Sequence, residues 1–208
     1  MAGLGLGPPD FALFEIDDPD DRAVALEESL QPKLAAIADQ CVSGLSRVSG
    51  KPLFPHAGKV PRRKGVPPEE VLVAFCDNPR TWRGVPFLAV VVTRDHLHAR
   101  IGVRGESGRR EPMQRALARE AGNLARKGKP FRRLREYAEW NFEDLPELAP
   151  AHSAAFWQEL GDALAPGRAG IDVGVAFTRE EARSLSLGDL LGVFRDLSPV
   201  YKLLANAQ

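Results

Sequence analysis

The sequence is poor in cysteine: Cys41 and Cys76 are the whole complement. Two thiols in apolar surroundings exclude a disulfide framework and point to reduced, buried side chains in a cytoplasmic protein. Long apolar runs are missing too. The longest, from Val85 to Val92, is interrupted by Pro86 and falls far short of the roughly 18 residues of a membrane helix, so no membrane partner is expected. The N-terminal stretch has neither a basic region nor an apolar core, which excludes a secretory leader and leaves residues 1–10 as an expected disordered tail.

Catalytic signatures are absent as well. There is no GxxxxGK[ST] phosphate loop, no dinucleotide fingerprint, no G-x-S-x-G elbow, no C-x-x-C and no Ser-His-Asp signature. Four histidines in all, only two of them close together (His96 and His98), fall short of a metal-ligand set. Neither a metal nor a cofactor is therefore expected.

Net charge is also lacking, since 28 basic side chains face 28 acidic ones. The balance hides a division. Residues 1–50 hold 3 basic and 9 acidic side chains, residues 51–135 hold 20 and 7, and residues 136–208 hold 5 and 12. A basic middle between acidic ends points either to an anionic partner or to flanks that fold back on the middle.

What is present is a legible succession of elements. Asp17, Asp18, Asp20 and Asp21 around Pro19 suit a helix start. After Pro32, apolar residues from Leu34 to Val48 recur at three- and four-residue spacing up to Gly50, which marks a helix with one buried face. Lys51 to Pro68, with five prolines, reads as a long loop. Val71–Cys76, Phe87–Thr93 and His96–Arg104 read as three strands, the last two joined by a turn at Arg94-Asp95. In the third strand Leu97, Ala99, Ile101 and Val103 alternate with His96, His98, Arg100 and Arg104, so one face is packed and the other is polar and basic or covered by a polar site. A helix follows from Glu111 to Lys127, another from Pro150 to Leu164, then a strand over Ile171–Phe177. Thr178 and Glu181 form a capping box for the next helix, and further helix runs to the C-terminus. Helices first, strands next and no βαβ rhythm predict an α+β fold. Residues 11–208 form its single domain, with a mainly antiparallel or mixed sheet of about four to six strands.

Four basic groupings are candidates for chemistry. The first is the loop with His56, Lys59, Arg62 and Arg63, whose cations and glycine-flanked backbone suit a phosphate or carboxylate. The second is the face of the third strand that carries His96, His98, Arg100 and Arg104. The third is Arg80, Trp82 and Arg83, where an indole between guanidinium groups can stack a base or sugar. The fourth is the run from Arg126 to Arg133, whose first residues also suit a helix C-terminus. Lys59, Arg62, Arg63, Arg80, Trp82, Arg83 and Arg100 thus form the expected binding set for a phosphate-bearing ligand, nucleotide or nucleic acid. One rival is a small-molecule enzyme acting on an anionic substrate with His56 or His98 as acid–base group. Another is an interaction module that docks an acidic partner.

Phe14-x-Ile16, Gln31-Pro32-Lys33-Leu34, His56-Ala-Gly-Lys59-Val-Pro-Arg62-Arg63, Pro67-Pro68, Ala74-Phe75, Arg83-Gly84 and Leu197-Ser-Pro199-Val-Tyr201 together resemble the YktB-like family of uncharacterised bacterial proteins. The resemblance runs from about residue 11 to near the C-terminus. Val60 departs from the family's second histidine after the lysine. The resemblance implies an α+β domain of a bacterial cytoplasmic protein and brings no activity with it.

Overall fold

The computed structural model describes residues 3–60, 64–137 and 145–208. Helix α1 (Pro8–Ala12) leads through a 3-10 turn to α2 (Pro19–Ala25), where Asp18 accepts from the backbone N–H groups of Asp20 and Asp21 at 2.9 Å each. A π turn over Leu26–Leu30 joins α2 to α3 (Gln31–Ser49), whose end is closed by Gly50 in the left-handed conformation.

Strands β1 (Phe54–Ala57), β2 (Glu70–Cys76), β3 (Phe87–Thr93) and β4 (His96–Arg104) form an antiparallel meander. Helix α4 (Arg110–Lys127) then crosses to the two-residue strand β5 (Arg135–Glu136). Helix α5 (Ala154–Asp162) follows, then β6 (Gly170–Thr178), α6 (Arg179–Ser184) and α7 (Leu187–Ala205). The sheet order is β1-β2-β3-β4-β6-β5, and all the pairings are antiparallel. A single α+β domain results.

Strand period sorts the side chains. Val71, Val73, Phe75, Leu88, Val90, Val92, Leu97, Ala99, Ile101 and Val103 point to the helix layer and share one core with α3, α4, α5 and α7. Leu72, Ala74, Cys76, Phe87, Ala89 and Val91 form a second apolar cluster on the opposite face, with Trp82 and Val85 against it.

Two expectations are corrected. The stretch Lys51–Pro68 is not wholly loop, because β1 lies within it as an edge strand. Its Pro55 is tolerated there because an edge leaves some backbone N–H groups without a ladder partner. The expected tail is fixed from Gly3 onward. Leu4 and Leu6 are buried, the Leu4 N–H donates to the Leu185 carbonyl at 3.1 Å, and Gly3 bridges to Ser186. Two leucines supplied the apolar area that a Gly-Pro-rich composition obscured. Among the described residues, no helix is long and apolar enough to cross a membrane.

A candidate site on the sheet face away from the helices

The polar alternation of β4 was expected to give either a polar, basic face or a face covered by a polar site, and the second is found, since His98 is 4% exposed and Arg100 1% exposed. Tyr137 lies over this face, with its hydroxyl 3.1 Å from His98 Nδ1 and its ring centre 3.8 Å from the Arg100 guanidinium group. Glu70 opens β2 on the same face, and its carboxyl feels the charges of Arg100, Arg104 and Asp172.

Arg100 is its central post. One guanidinium nitrogen, Nη1, donates to Asp172 Oδ2 at 3.3 Å, and the group lies 3.8 Å from the centre of the Tyr137 ring. Gly174 on β6 stands opposite Arg100, where a Cβ would meet the Ala99 carbonyl at 2.3 Å and Arg100 Cγ at 3.0 Å. The missing side chain lets Arg100 lie across β6 to reach Asp172. Tyr137 is positioned by its own backbone N–H, which donates to the Asp172 carbonyl at 2.9 Å.

His98 belongs to the frame of the site. The Thr93 hydroxyl donates to the His96 carbonyl at 3.3 Å, so its oxygen accepts from His98 Nε2 at 3.2 Å. That leaves Nδ1 to accept from the Tyr137 hydroxyl at 3.1 Å. Burial, followed by the positive charge of Arg100, holds His98 well below the usual imidazole range, which fits this neutral tautomer. Burial likewise pushes the Tyr137 hydroxyl up to about 12, so it stays a donor.

The two acids behave differently from surface carboxylates. Burial pushes Glu70 up to about 7, with Arg100 and Arg104 opposing the rise and Asp172 adding to it. Burial also raises Asp172, against the pull of Arg100 and Arg104. Glu70 Oε2 and Asp172 Oδ1 are buried and have no hydrogen-bond partner. At the rim, the Trp82 ring meets Phe87 edge-on at 4.7 Å between centroids. The Arg104 and Arg83 guanidinium groups stand 5.2 and 5.8 Å from its centre.

The expected binding set is thus divided. Trp82 and Arg83 reach the same region as Arg100, whereas Arg80 is exposed on the β2–β3 loop, its backbone N–H held by Asn78 Oδ1 at 2.8 Å. Lys59 is exposed beside the other end of β2, because Gly58 bonds to Leu72. It stands roughly 20 Å from the β2–β3 loop at strand spacing. Arg62 and Arg63 lie outside the described residues. His56 sits on β1, three strands from β4, with Nε2 2.9 Å from the Asn78 carbonyl.

Glu70, Asp172, Tyr137, Thr93 and Arg104 complete the cluster and were missing from the expected binding set. A signal for Asp172 was available: an acid interrupts the apolar alternation between Ile171 and Val173. Glu70 gave none, because an acid at the start of a strand is ordinary surface composition.

The basic middle is partly answered from the C-terminal flank, by Asp172 at Arg100 and by Glu181 at Arg133 with 3.3 Å contacts. Arg179 joins Glu15 and Asp95 at 2.9 Å each.

Residues 8–201 match the family described as a domain of unknown function, DUF1054. A Macrococcus caseolyticus protein is 28% identical over 139 residues, covering 67% of this chain and 68% of that protein. A Bacillus cytotoxicus protein is 31% identical over 55% of both chains, and one from Staphylococcus haemolyticus is 32% identical over 48% of this chain and 49% of its own. The last two are thus matched over only about half their length. All three carry the name UPF0637 protein. The match from residue 8 to residue 201 takes in every element from α1 to most of α7, and the chain belongs to the DUF1054 family of bacterial proteins of unknown function.

Proposed function

We propose that the protein binds a small molecule bearing phosphate or carboxylate on the face of its sheet away from the helices. Arg100 and Arg104 supply the charge, and Trp82 and Arg83 form the rim. The observation that carries this reading is that one face of β4 sets Arg100 against the Tyr137 ring and Arg104 against the Trp82 ring. Enclosed cations attract anions more strongly than solvated ones, because little water screens them. The same enclosure disfavours a polymer: nucleic acid needs a continuous exposed basic track, and Arg100 is almost wholly buried.

Should the site also catalyse, Glu70 is the better proton carrier. Both ring nitrogens of His98 are engaged and it is held neutral, whereas Glu70 exchanges a proton near neutrality. The test is a thermal-melt screen with inorganic phosphate, pyrophosphate, AMP and a single-stranded oligonucleotide at low salt. Small anions should raise Tm, and Arg104→Met should abolish the rise while leaving a cooperative melt. A response to the oligonucleotide alone would overturn the reading.

A further inference from the structure

The helix layer carries a second basic feature, apart from the sheet face. Helices α4 and α7 pack together and leave a groove of about 1110 Å³ between them, larger than the roughly 300–1,000 Å³ of small-molecule sites. Ala116 and Leu124 of α4, with Pro199 and Leu203 of α7, give it an apolar lining. Arg115, Arg119, Lys127 and Lys202 also line it, all four exposed, against one acidic lining side chain, Glu120. Arg115 and Arg119 meet Glu111 and Glu120 in exposed ion pairs, which hold their partners weakly. Lys127 and Lys202 meet no acid at ion-pair distance among the described residues.

The same chain carries a complementary face. On α2, Asp20 and Asp21 precede Val24 by four and three residues, so two carboxylates border a valine that is 39% exposed. Asp17 lies just before α2 and Glu28 just after it, and all four acids are exposed. None of the four meets a cation at ion-pair distance among the described residues. Arg22, the cation within α2, donates its Nε to the Ile16 carbonyl at 2.7 Å.

We infer that two copies of this chain pair through the helix layer, the acidic α2 face of each seated in the α4–α7 groove of the other. Helix α3 packs against the π turn that follows α2 and against α7, and α4 lies beyond α7. The acidic face and the groove thus stand at opposite flanks of one layer. A two-fold axis over α3 and α7 lays each on its counterpart and makes the contact twice. Val24 then meets the apolar lining while the acids meet the four cations. Zero net charge leaves no overall repulsion between the copies.

Sedimentation equilibrium of the full chain over a micromolar range of concentrations is the experiment. Dimers should form at low salt, and their dissociation constant should rise roughly tenfold or more between about 0.05 and 0.5 M salt. Arg119→Glu with Lys202→Glu, and separately Asp21→Lys with Glu28→Lys, should each leave monomers. An equimolar mixture of the two variants should dimerise, because both contacts again join opposite charges, and that recovery also shows that both variants fold. A wild type that stays monomeric would overturn the inference, and uptake of a poly-glutamate peptide by that monomer would assign the groove to a foreign acidic segment. Dimers that neither pair of reversals weakens would overturn it equally, as would dimers lost in both variants and not recovered in the mixture.

Discussion

Glu70 shows how strongly position changes the chemistry of one residue type. Glu69, its neighbour, is exposed, whereas burial drives the Glu70 carboxyl up to about 7, against the pull of Arg100 and Arg104. The folded chain therefore holds this proton more tightly than the unfolded chain. The contribution favours folding below about pH 4.5 and is lost as pH rises through about 7. Glu70→Gln removes that dependence. The stability of the variant minus that of the wild type should climb between these two values and level off at roughly 1–3 kcal/mol in favour of the variant. Urea midpoints measured from pH 4 to pH 8 would show it, and a flat difference curve would count against a buried, ionising Glu70. His98 acts in the opposite sense, since its lowered folded value costs stability as pH falls below about 6.5. Its effect is common to both proteins and cancels in the difference.

At the scale of the element, β4 is the scaffold of the site, and its glycine matters as much as its arginines. Gly102 pairs with Phe87, and a Cβ there would stand 2.2 Å from the tip of the Phe87 ring. The ring fills the space over the glycine and in turn supports Trp82. Gly102→Ala should cost roughly 1–3 kcal/mol through overpacking and should weaken ligand binding by displacing the rim. Gly192→Ala is the contrasting case. It lies inside α7 with open space around the position of a Cβ, and should stabilise by about 0.5–1 kcal/mol through helix propensity. Thermal melts that lowered Tm for both variants would show that close approach is not what selects Gly102.

Element type was legible in the sequence wherever one periodicity ran unbroken, as in α3, β2, β3, β4, α4 and α7. The Thr178 and Glu181 box was legible too, because capping is a contact between residues three apart. β1 escaped because strand pairing is supplied by a partner, here β2, and four residues with a proline carry too little pattern of their own.

For the molecule as a whole, the N-terminal segment is tied to the α6–α7 connection. The segment from Gly3 to Leu6 docks beside the α6–α7 connection, and Arg179 of α6 holds Glu15. Deletion of residues 1–6 should cost roughly 2–4 kcal/mol, chiefly from the exposure left by Leu4 and Leu6. Urea unfolding is the measurement, and an unchanged midpoint would mean that the segment contributes nothing.

The uneven charge of the chain finds its outcome at this scale as well. The sequence by itself determined the α+β class, the strands β2 to β4 with the turn that joins the last two, the packed helix face and the presence of arginines on β4, all of which follow from spacings of two to four residues. Only the tertiary structure decided that this basic face is covered, with Arg100 held between Asp172 and Tyr137. The same folding divided Lys59 from Trp82. Those outcomes depend on residues up to 72 positions apart, Arg100 and Asp172, a separation at which local periodicity carries no information.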